Sequence, residues 1–141
     1  MYIWDSNILR HFGEEHPTLF LHLGRVPPSQ IALPSVTVAE VLRGRCERAL
    51  KAEPEYLPFA HTLLAETLDI LNKFRILQFD EKCCQILKEL KRRHKSHKRY
   101  ADMMIAATAL AGNHTVVTRN EKHFKTLLPK VRIANWIDEE P

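Results

Sequence analysis

The sequence predicts an α/β domain with a parallel five-stranded sheet flanked by helices. Short apolar runs of strand length alternate with segments of helical periodicity along the chain, a pattern typical of strands joined by crossover helices. No internal repeat, low-complexity tract or interdomain linker interrupts this alternation. We therefore expect residues 1–141 to form one domain, which at this length folds without a disulfide or a structural metal.

Five short segments carry the strand signal. Most of their residues are β-branched, aromatic or otherwise apolar, and such side chains favour a pleated, half-buried surface. The predicted strands are YIW at 2–4, IAL at 31–33, RILQF at 75–79, TVVT at 115–118 and VRIAN at 131–135. Five strands are enough for a small sheet with helices on both faces.

Three helices between these strands have recognisable boundaries or faces. Asp80 is a predicted N-cap for a helix over 81–93, because its side chain can accept a hydrogen bond from a backbone N–H of the first turn. Segments 61–74 and 102–112 also have helical periodicity. The second of these is nearly all apolar or small, so we expect it to be buried and to end with Gly112 at the C′ position. One stripe of the helix over 81–93 is expected in the core: Cys83, Ile86, Leu87 and Leu90.

Glu40 lies in the stretch TVAEVLRG, residues 37–44. Thr37 followed by Glu40 three residues later matches a capping box, with Thr37 as the N-cap. A capping glutamate needs no distant partner, whereas a catalytic glutamate needs other carboxylates beside it. The rest of the chain therefore decides the role of Glu40.

The run KRRHKSHKR at residues 91–99, called here the basic segment, contains six Lys or Arg residues and no acid. The remaining 15 of the 21 Lys and Arg residues stand against 17 Asp and Glu, so the positive charge is concentrated in this segment. Such a patch predicts a polyanionic partner, with nucleic acid as the leading candidate. The alternative is a solvated helix end whose cations complement the macrodipole. The candidate nucleic-acid-binding residues are Lys91, Arg92, Arg93, Lys95, Lys98 and Arg99.

The cysteines and the apolar runs indicate the cellular compartment in which the protein is expected. Cys46, Cys83 and Cys84 have no paired C-x-x-C spacing, so they indicate neither a disulfide framework nor a zinc site. The sequence has no charged-then-apolar N-terminal signal and no apolar run near the roughly 18 to 20 residues of a membrane span. We therefore expect a cytoplasmic protein.

Three acidic residues, Asp5, Glu40 and Asp102, form the candidate site. Asp5 and Glu40 each come soon after a predicted strand, and ligands of open α/β sheets bind at the edge where the strands end. Asp102 shares a helix face with small apolar residues, and a carboxylate facing a packed interior is costly unless it is neutralised, hydrogen-bonded or bound to a cation. For Asp5 alone, an N-cap role is the alternative.

Convergence of these acids would require a counter-charge. Three clustered carboxylates repel one another, and an all-oxygen site suits a hard cation such as Mg²⁺ or Mn²⁺. Such an ion lowers the pKa of a water molecule and neutralises charge that develops on a phosphodiester. Together with the basic segment, the three acids predict a metal-dependent nuclease.

Four stretches of the chain resemble a known family. YIWDSNIL resembles the opening strand and Asp-Ser/Thr-Asn signature of PIN-domain ribonucleases, LPSVTVAEVLRG resembles their second motif, and DMMIAATALAGNHTVVTRNEKHF resembles their third and fourth. NWI near the end resembles the ending common among the VapC-type toxins of type II toxin–antitoxin pairs. The resemblance extends from Tyr2 to Ile137.

The resemblance implies a PIN-like domain with strand order 3-2-1-4-5 that hydrolyses RNA phosphodiester bonds, dimerises and is inhibited by a VapB-like antitoxin. It makes Asp5, Glu40 and Asp102 the ligands of Mg²⁺ or Mn²⁺. It also places Asn120 in the catalytic set, hydrogen-bonded to the metal-bound water or to a ligand carboxylate. The supporting positions are Ser6, Asn7, Thr118 and His123.

The sequence departs from the family pattern at two places. Many relatives have an acid just before the phenylalanine of the fourth motif, where this chain has His123. Upstream of the third motif, Lys98 and Arg99 stand where relatives often have an Ile-Gly turn, and Tyr100 where some have an extra acid. These changes reduce the negative charge of the site. His123 is then either a ligand or proton carrier, or a surface residue without a chemical role.

Two other classes of protein remain as alternatives. The first is a PIN-like RNA-binding module that has lost nuclease activity along with the fourth acid. The second is a receiver-type phosphoacceptor domain, which is also doubly wound with clustered acids. The second is disfavoured, because only a single acid, Asp5, follows the first strand and only the predicted N-cap Asp80 follows the third.

Overall fold

The central sheet has five parallel strands in the order β3-β2-β1-β4-β5 in a computed structural model, which describes residues 1–141. The strands are β1 (Tyr2–Trp4), β2 (Ile31–Pro34), β3 (Arg75–Leu77), β4 (Thr115–Val117) and β5 (Ile133–Ala134). The predicted α/β class, the parallel sheet and the strand order implied by the resemblance are all confirmed. Three observed strands are shorter than predicted, and β3 ends at Leu77 because its ladder partner β2 ends at Pro34.

Six helices connect and flank the strands. They are α1 (Ser6–Gly13), α2 (Pro17–Leu23), α3 (Ser35–Lys51), α4 (Leu57–Leu71), α5 (Glu81–Arg93) and α6 (Tyr100–Gly112). Helix α4 begins four residues before the predicted 61–74, because Pro58 lies in its first turn, where a missing N–H costs nothing. Asp80 caps α5 as predicted, and its side chain accepts a hydrogen bond from the Cys83 N–H at 3.0 Å.

The core lies on both faces of the sheet. On one face, Ile3, Ala32 and Val116 of the strands pack against α5 and α6, including the predicted stripe of α5. On the other face, Trp4 and Val117 pack against apolar residues of α1, α2 and α4. Each strand therefore presents alternate side chains to two layers of helices. No helix of this fold is long and apolar enough to cross a membrane.

The prediction that Gly112 occupies the C′ position is wrong, since the residue in that position is Asn113. Asn113 has the left-handed backbone, with φ 59° and ψ 40°, and Gly112 is the last residue of α6. Asparagine tolerates this conformation through its short polar side chain. Gly112 instead leaves room for a side chain, since a Cβ there would lie 2.0 Å from Nε2 of His114 and the imidazole would have to move.

Candidate active site

The Asp5 carboxylate is fixed at the end of β1 by three hydrogen bonds. Asp5 is the N-cap of α1, and its Oδ1 accepts from the Ser6 N–H at 2.8 Å. Its Oδ2 accepts from Asn7 Nδ2 at 2.9 Å and from Thr118 Oγ1 at 2.8 Å. Because only 4% of Asp5 is exposed, these donors both satisfy the buried carboxylate and hold it in one orientation.

Asn7 and Thr118 join β1 to the turn after β4. The fully buried Thr118 side chain accepts from the Asn120 N–H at 3.0 Å. Asn7 Oδ1 accepts from the Arg119 N–H at 3.2 Å. The turn after β4 therefore cannot shift relative to Asp5 without breaking several hydrogen bonds.

The prediction that Thr37 caps a helix is wrong. Helix α3 begins at Ser35, directly after β2, and has Pro34 at the N-cap position with no side-chain cap. Pro34 has no N–H for the sheet ladder, so the chain turns into the helix there without a loop. Thr37 lies inside the helix, and its Oγ1 donates to the Trp4 carbonyl at 2.8 Å. This buried bond ties α3 to β1, and Glu40 is left without a capping partner.

Glu40 and Asp102 each have one carboxylate oxygen that is buried and has no hydrogen-bond partner, Oε1 and Oδ2 respectively. Asp102 lies in the first turn of α6 and is 8% exposed. A buried acceptor without a donor costs free energy. The two oxygens are therefore suited to a donor or a cation that the chain itself does not supply.

Burial and mutual repulsion change the acidity of both residues. Burial first, and the Asp5 carboxylate second, raise the pKa of Asp102 from 3.8 to about 6, although Arg99 and His97 oppose this shift. Burial also raises the pKa of Glu40, with further contributions from Asp5 and Asp102. The fold thus brings the three predicted acids within interaction range of one another at the carboxyl edge of the sheet.

His123 lies beside Asp102, although it was uncertain from the sequence whether it belonged to the site. Its Nδ1 is 3.5 Å from Asp102 Oδ2, which is too long for a good hydrogen bond. Burial, Arg99 and Lys122 lower the pKa of His123, and Asp5 opposes them. The imidazole is therefore mostly neutral at pH 7, and the contact with Asp102 is not an ion pair at that pH.

The other predicted positions, Asn120 and Ser6, are less constrained. The Asn120 side chain is exposed and makes no hydrogen bond, although its backbone is held by Thr118. Ser6 is the first residue of α1 and lines a cleft that also reaches Glu40. Both residues adjoin the acids, but neither side chain contacts a carboxylate through a hydrogen bond.

The basic segment comprises the last turn of α5 and the loop that leads to α6. Arg92 and Arg93 both pair with Glu89, and the Lys91 ammonium lies 4.7 Å from the centroid of the Tyr100 ring. Lys95 and Lys98 are exposed and unpaired. Arg99 precedes the first residue of α6 and lies near enough to Asp102 to oppose the rise in its pKa. The segment therefore borders Asp102.

His97, a residue of the basic segment that the sequence did not single out, has a specific position in the structure. His97 Nε2 lies 3.3 Å from the His123 carbonyl oxygen, and His97 Nδ1 accepts from the Arg99 N–H at 3.3 Å. His97 thus connects the basic segment to the turn that carries His123. The partners are 26 residues apart, so no local pattern could have predicted this contact.

The acids supply the oxygen donors that suit a hard cation, but their side chains do not form a complete coordination site. No group of three or more His, Cys, Asp or Glu side chains is arranged to hold a metal ion. The unpartnered oxygens of Glu40 and Asp102, next to the fixed carboxylate of Asp5, are nevertheless the oxygen donors that Mg²⁺ or Mn²⁺ prefers.

Comparison with known families gives a match over most of the chain. A family model described as PIN domain matches residues 2–127. The chain belongs to the PIN domain family. The family resemblance noted in the sequence is therefore confirmed, and all three acids at the carboxyl edge lie within the matched residues.

Known relatives and solved structures resemble this PIN domain over nearly its full length. It is 28% identical to Ribonuclease VapC2 of Rickettsia felis over 142 residues, which cover 96% of this chain and 98% of the relative. The crystal structure of FitAcB from Neisseria gonorrhoeae superposes with a TM-score of 0.76 and 28% identity, and covers 99% of this chain and 100% of that one. VapBC2 from Rickettsia felis, bound to a DNA fragment from its promoter, gives a TM-score of 0.73 and 27% identity, and covers 96% of this chain and 98% of that one.

The electrostatics of Asp102 predict an unusual pH dependence of stability. The folded protein holds the Asp102 proton more tightly than the unfolded chain does, so the contribution of Asp102 to the free energy of unfolding falls as the pH rises from about 4 to about 6. Without metal, Asp102→Asn should therefore raise the free energy of unfolding at pH 7.5 by about 1 to 3 kcal/mol and change it little at pH 4. Urea denaturation in EDTA at the two pH values measures this difference. Asp69→Asn, at an exposed carboxylate of α4, is the control, and a less stable Asp102→Asn variant at pH 7.5 would contradict the assignment.

Proposed function

We propose that this PIN domain is a Mg²⁺- or Mn²⁺-dependent endoribonuclease, the toxin of a toxin–antitoxin pair that acts in the cytoplasm. The observation that carries the proposal is the pair of buried, unpartnered oxygens on Glu40 and Asp102, next to the fixed carboxylate of Asp5. Buried carboxylate oxygens without hydrogen-bond donors at the carboxyl edge of an α/β sheet destabilise the fold and serve no packing role. A catalytic cation accounts for their retention.

The residues would divide the work of hydrolysis between them. Asp5, Glu40 and Asp102 would hold the cation. The cation would lower the pKa of a water molecule and neutralise charge on the phosphodiester. Thr118 and Asn7 orient Asp5, since both donate to its Oδ2. Asn120, whose exposed amide has no hydrogen-bond partner in the fold, would hydrogen-bond the metal-bound water or a ligand carboxylate. The water would lose a proton as its oxygen bonds to the phosphorus atom, the ester P–O bond would break, and the leaving oxygen would take up a proton.

The basic segment would position the RNA backbone. Its exposed Lys95 and Lys98 would contact a phosphate that flanks the scissile bond, a role supported by the position of Arg99 beside Asp102. Phosphate contacts of this kind are independent of base sequence. The support for this role is the position of the segment next to the acids, together with its lack of any acidic residue.

A VapB-like antitoxin is the proposed protein partner, and a homodimer is the proposed assembly. The support for the antitoxin is similarity to chains solved within VapBC2 and in FitAB bound to the IR36 DNA fragment; the latter superposes with a TM-score of 0.76 and 25% identity. The homodimer rests on the family resemblance. An RNA-binding module without nuclease activity is the competing function, favoured by His123 in place of an acid and by the absence of a finished ligand cluster.

Removal of one acidic charge should separate these two functions. Asp102→Asn should lower metal-dependent cleavage of total cellular RNA by at least about 100-fold, because the cation loses a charged ligand, while RNA binding persists. Cleavage with and without Mg²⁺ or Mn²⁺, read by end mapping, measures the loss, and Asp69→Asn is again the control. Near wild-type cleavage by Asp102→Asn would exclude the proposed site, and a wild type that binds RNA but never cleaves it would favour the binding module.

Neutralising lysines of the basic segment should weaken RNA binding irrespective of base sequence. Lys91, Lys95 and Lys98 changed together to Gln should reduce the slope of log K against log salt by roughly 0.7 for each phosphate that the protein no longer neutralises. The control is the triple change to Gln of Lys51, Lys73 and Lys130, which lie at the end of α3 and before β3 and β5. An equal slope in the two triple variants would indicate that the basic segment is a solvated helix end that does not bind phosphate. If binding of an antitoxin disappears instead, the segment belongs to the protein interface.

A substitution at His123, in the fourth motif, should raise the affinity of the site for its metal ion. His123→Asp should tighten Mg²⁺ binding and lower the Mg²⁺ concentration for half-maximal cleavage, because it adds a carboxylate beside Asp102, and an imidazole is a poor ligand for Mg²⁺. His123→Asn, which has the same size as the aspartate without the charge, is the matched control. A lower maximal rate in both variants would instead make His123 a working catalytic group. No change in either quantity would place His123 outside the site.

A further inference from the structure

A cleft of about 430 Å³ opens beside Glu40, between α1, α3 and α4. Glu40 and Ser6 form part of its lining, so a molecule bound in the cleft adjoins the three acids. Its floor is apolar and comprises Leu9, Val41, Leu63, Ile70 and Leu71. The volume is sufficient for one planar heterocycle with its sugar, and too small for a helix or a duplex.

The polar residues of the cleft are arranged around this floor. Arg45 Nε donates to Thr67 Oγ1 at 3.1 Å, which holds the guanidinium group in the wall. Arg10 is the second cation of the lining. Glu66 also lines the cleft and forms no ion pair or hydrogen bond, whereas Glu14 lies near His11, with 3.9 Å between Glu14 Oε2 and His11 Nδ1. Glu66 is therefore a carboxylate of the wall that is free to accept hydrogen bonds and that, unlike Glu40, has no proposed role in holding the cation.

We propose that this cleft binds the base of an unpaired nucleotide next to the scissile phosphate, with a preference for guanine. The proposal rests on the ribonuclease function proposed above. Guanidinium planes and apolar side chains stack on unpaired bases. Guanine presents two adjacent N–H donors on its Watson–Crick edge, and the two oxygens of the Glu66 carboxylate can accept both. Uracil and cytosine do not offer this pair of donors.

The charges of the cleft favour a base over a phosphate. Glu14, Glu40 and Glu66 outnumber Arg10 and Arg45 in its lining, so a phosphate would be repelled while a neutral base is not. The cations that suit phosphates lie elsewhere, in the basic segment. That segment joins α5 to α6 on one face of the sheet, whereas α1 and α4 pack on the other face. An RNA strand crossing the acids would thus place its backbone on one side and one base on the other.

The first test measures base recognition without cleavage. Guanosine, adenosine, cytidine and uridine are titrated into the full-length protein, and binding is followed by NMR chemical-shift changes. Guanosine should bind at least about tenfold more tightly than uridine. Glu66→Gln should remove most of that preference, since a charged hydrogen bond of this kind is worth roughly a factor of ten or more. Asp69→Asn, on the same helix but outside the cleft, should leave it unchanged.

The second test uses cleavage positions in a pool of random RNA. Wild-type cleavage should be enriched for guanine at one position beside the cut, and Glu66→Gln should reduce that enrichment about tenfold. Gly44→Leu should weaken cleavage by filling the cleft, because Gly44 lines it and a Cβ there meets nothing within 4 Å. Gly44→Ala, which adds only a methyl group, is its matched control.

The two tests separate this inference from the proposed function. A wild type that binds guanosine through Glu66 but cleaves no RNA would overturn the nuclease function and retain the base site. A wild type that cleaves RNA with the same base preference as Glu66→Gln and Gly44→Leu, and binds the four nucleosides equally, would overturn the base site alone. Displacement of guanosine by a peptide and not by RNA would show that the cleft is a protein interface, and would also overturn it.

Discussion

The hydrogen bond from Thr118 to the buried Asp5 carboxylate is the constraint on which the rest of the site depends. It joins the ends of β1 and β4, neighbouring strands of the sheet, at the point where their side chains meet. A carboxylate at this depth is tolerable only because Ser6, Asn7 and Thr118 all donate to it. Once Asp5 is satisfied, its charge adds to the effect of burial in raising the pKa of Glu40 and of Asp102.

Glu40 and Asp102 are held near Asp5 by different means. The buried bond from Thr37 to the Trp4 carbonyl fixes α3 against β1, and the apolar face of α6 packs against the sheet beside it. Packing places these two helices, but it supplies no donor for their acidic side chains. The fold is therefore less stable at this edge than its packing would allow, as is common at functional sites.

Much of the fold was predictable because its signals are local. The five strands and the cap at Asp80 could be found from composition and spacing, since each depends on a few adjacent residues. Thr37 was wrongly predicted to be an N-cap, because α3 begins earlier and Pro34 occupies the N-cap position. Gly112 was wrongly placed at C′, because Asn113 adopts the left-handed backbone of that position. The placement of His97 against His123 and the cleft beside Glu40 depend on contacts between distant segments, and no periodicity encodes them.

The unequal bonding of the three acids has a practical consequence for anyone who wishes to produce this protein in an inert form. A substitution at Asp5 leaves the buried Thr118 hydroxyl and the Asn7 amide without their acceptor, so a diminished signal in any assay could reflect damage to the scaffold. Glu40 and Asp102 each carry an oxygen that no donor uses. Amide replacements at these two positions leave the surrounding network intact, which makes them the suitable positions for removing one acidic charge while the scaffold is preserved.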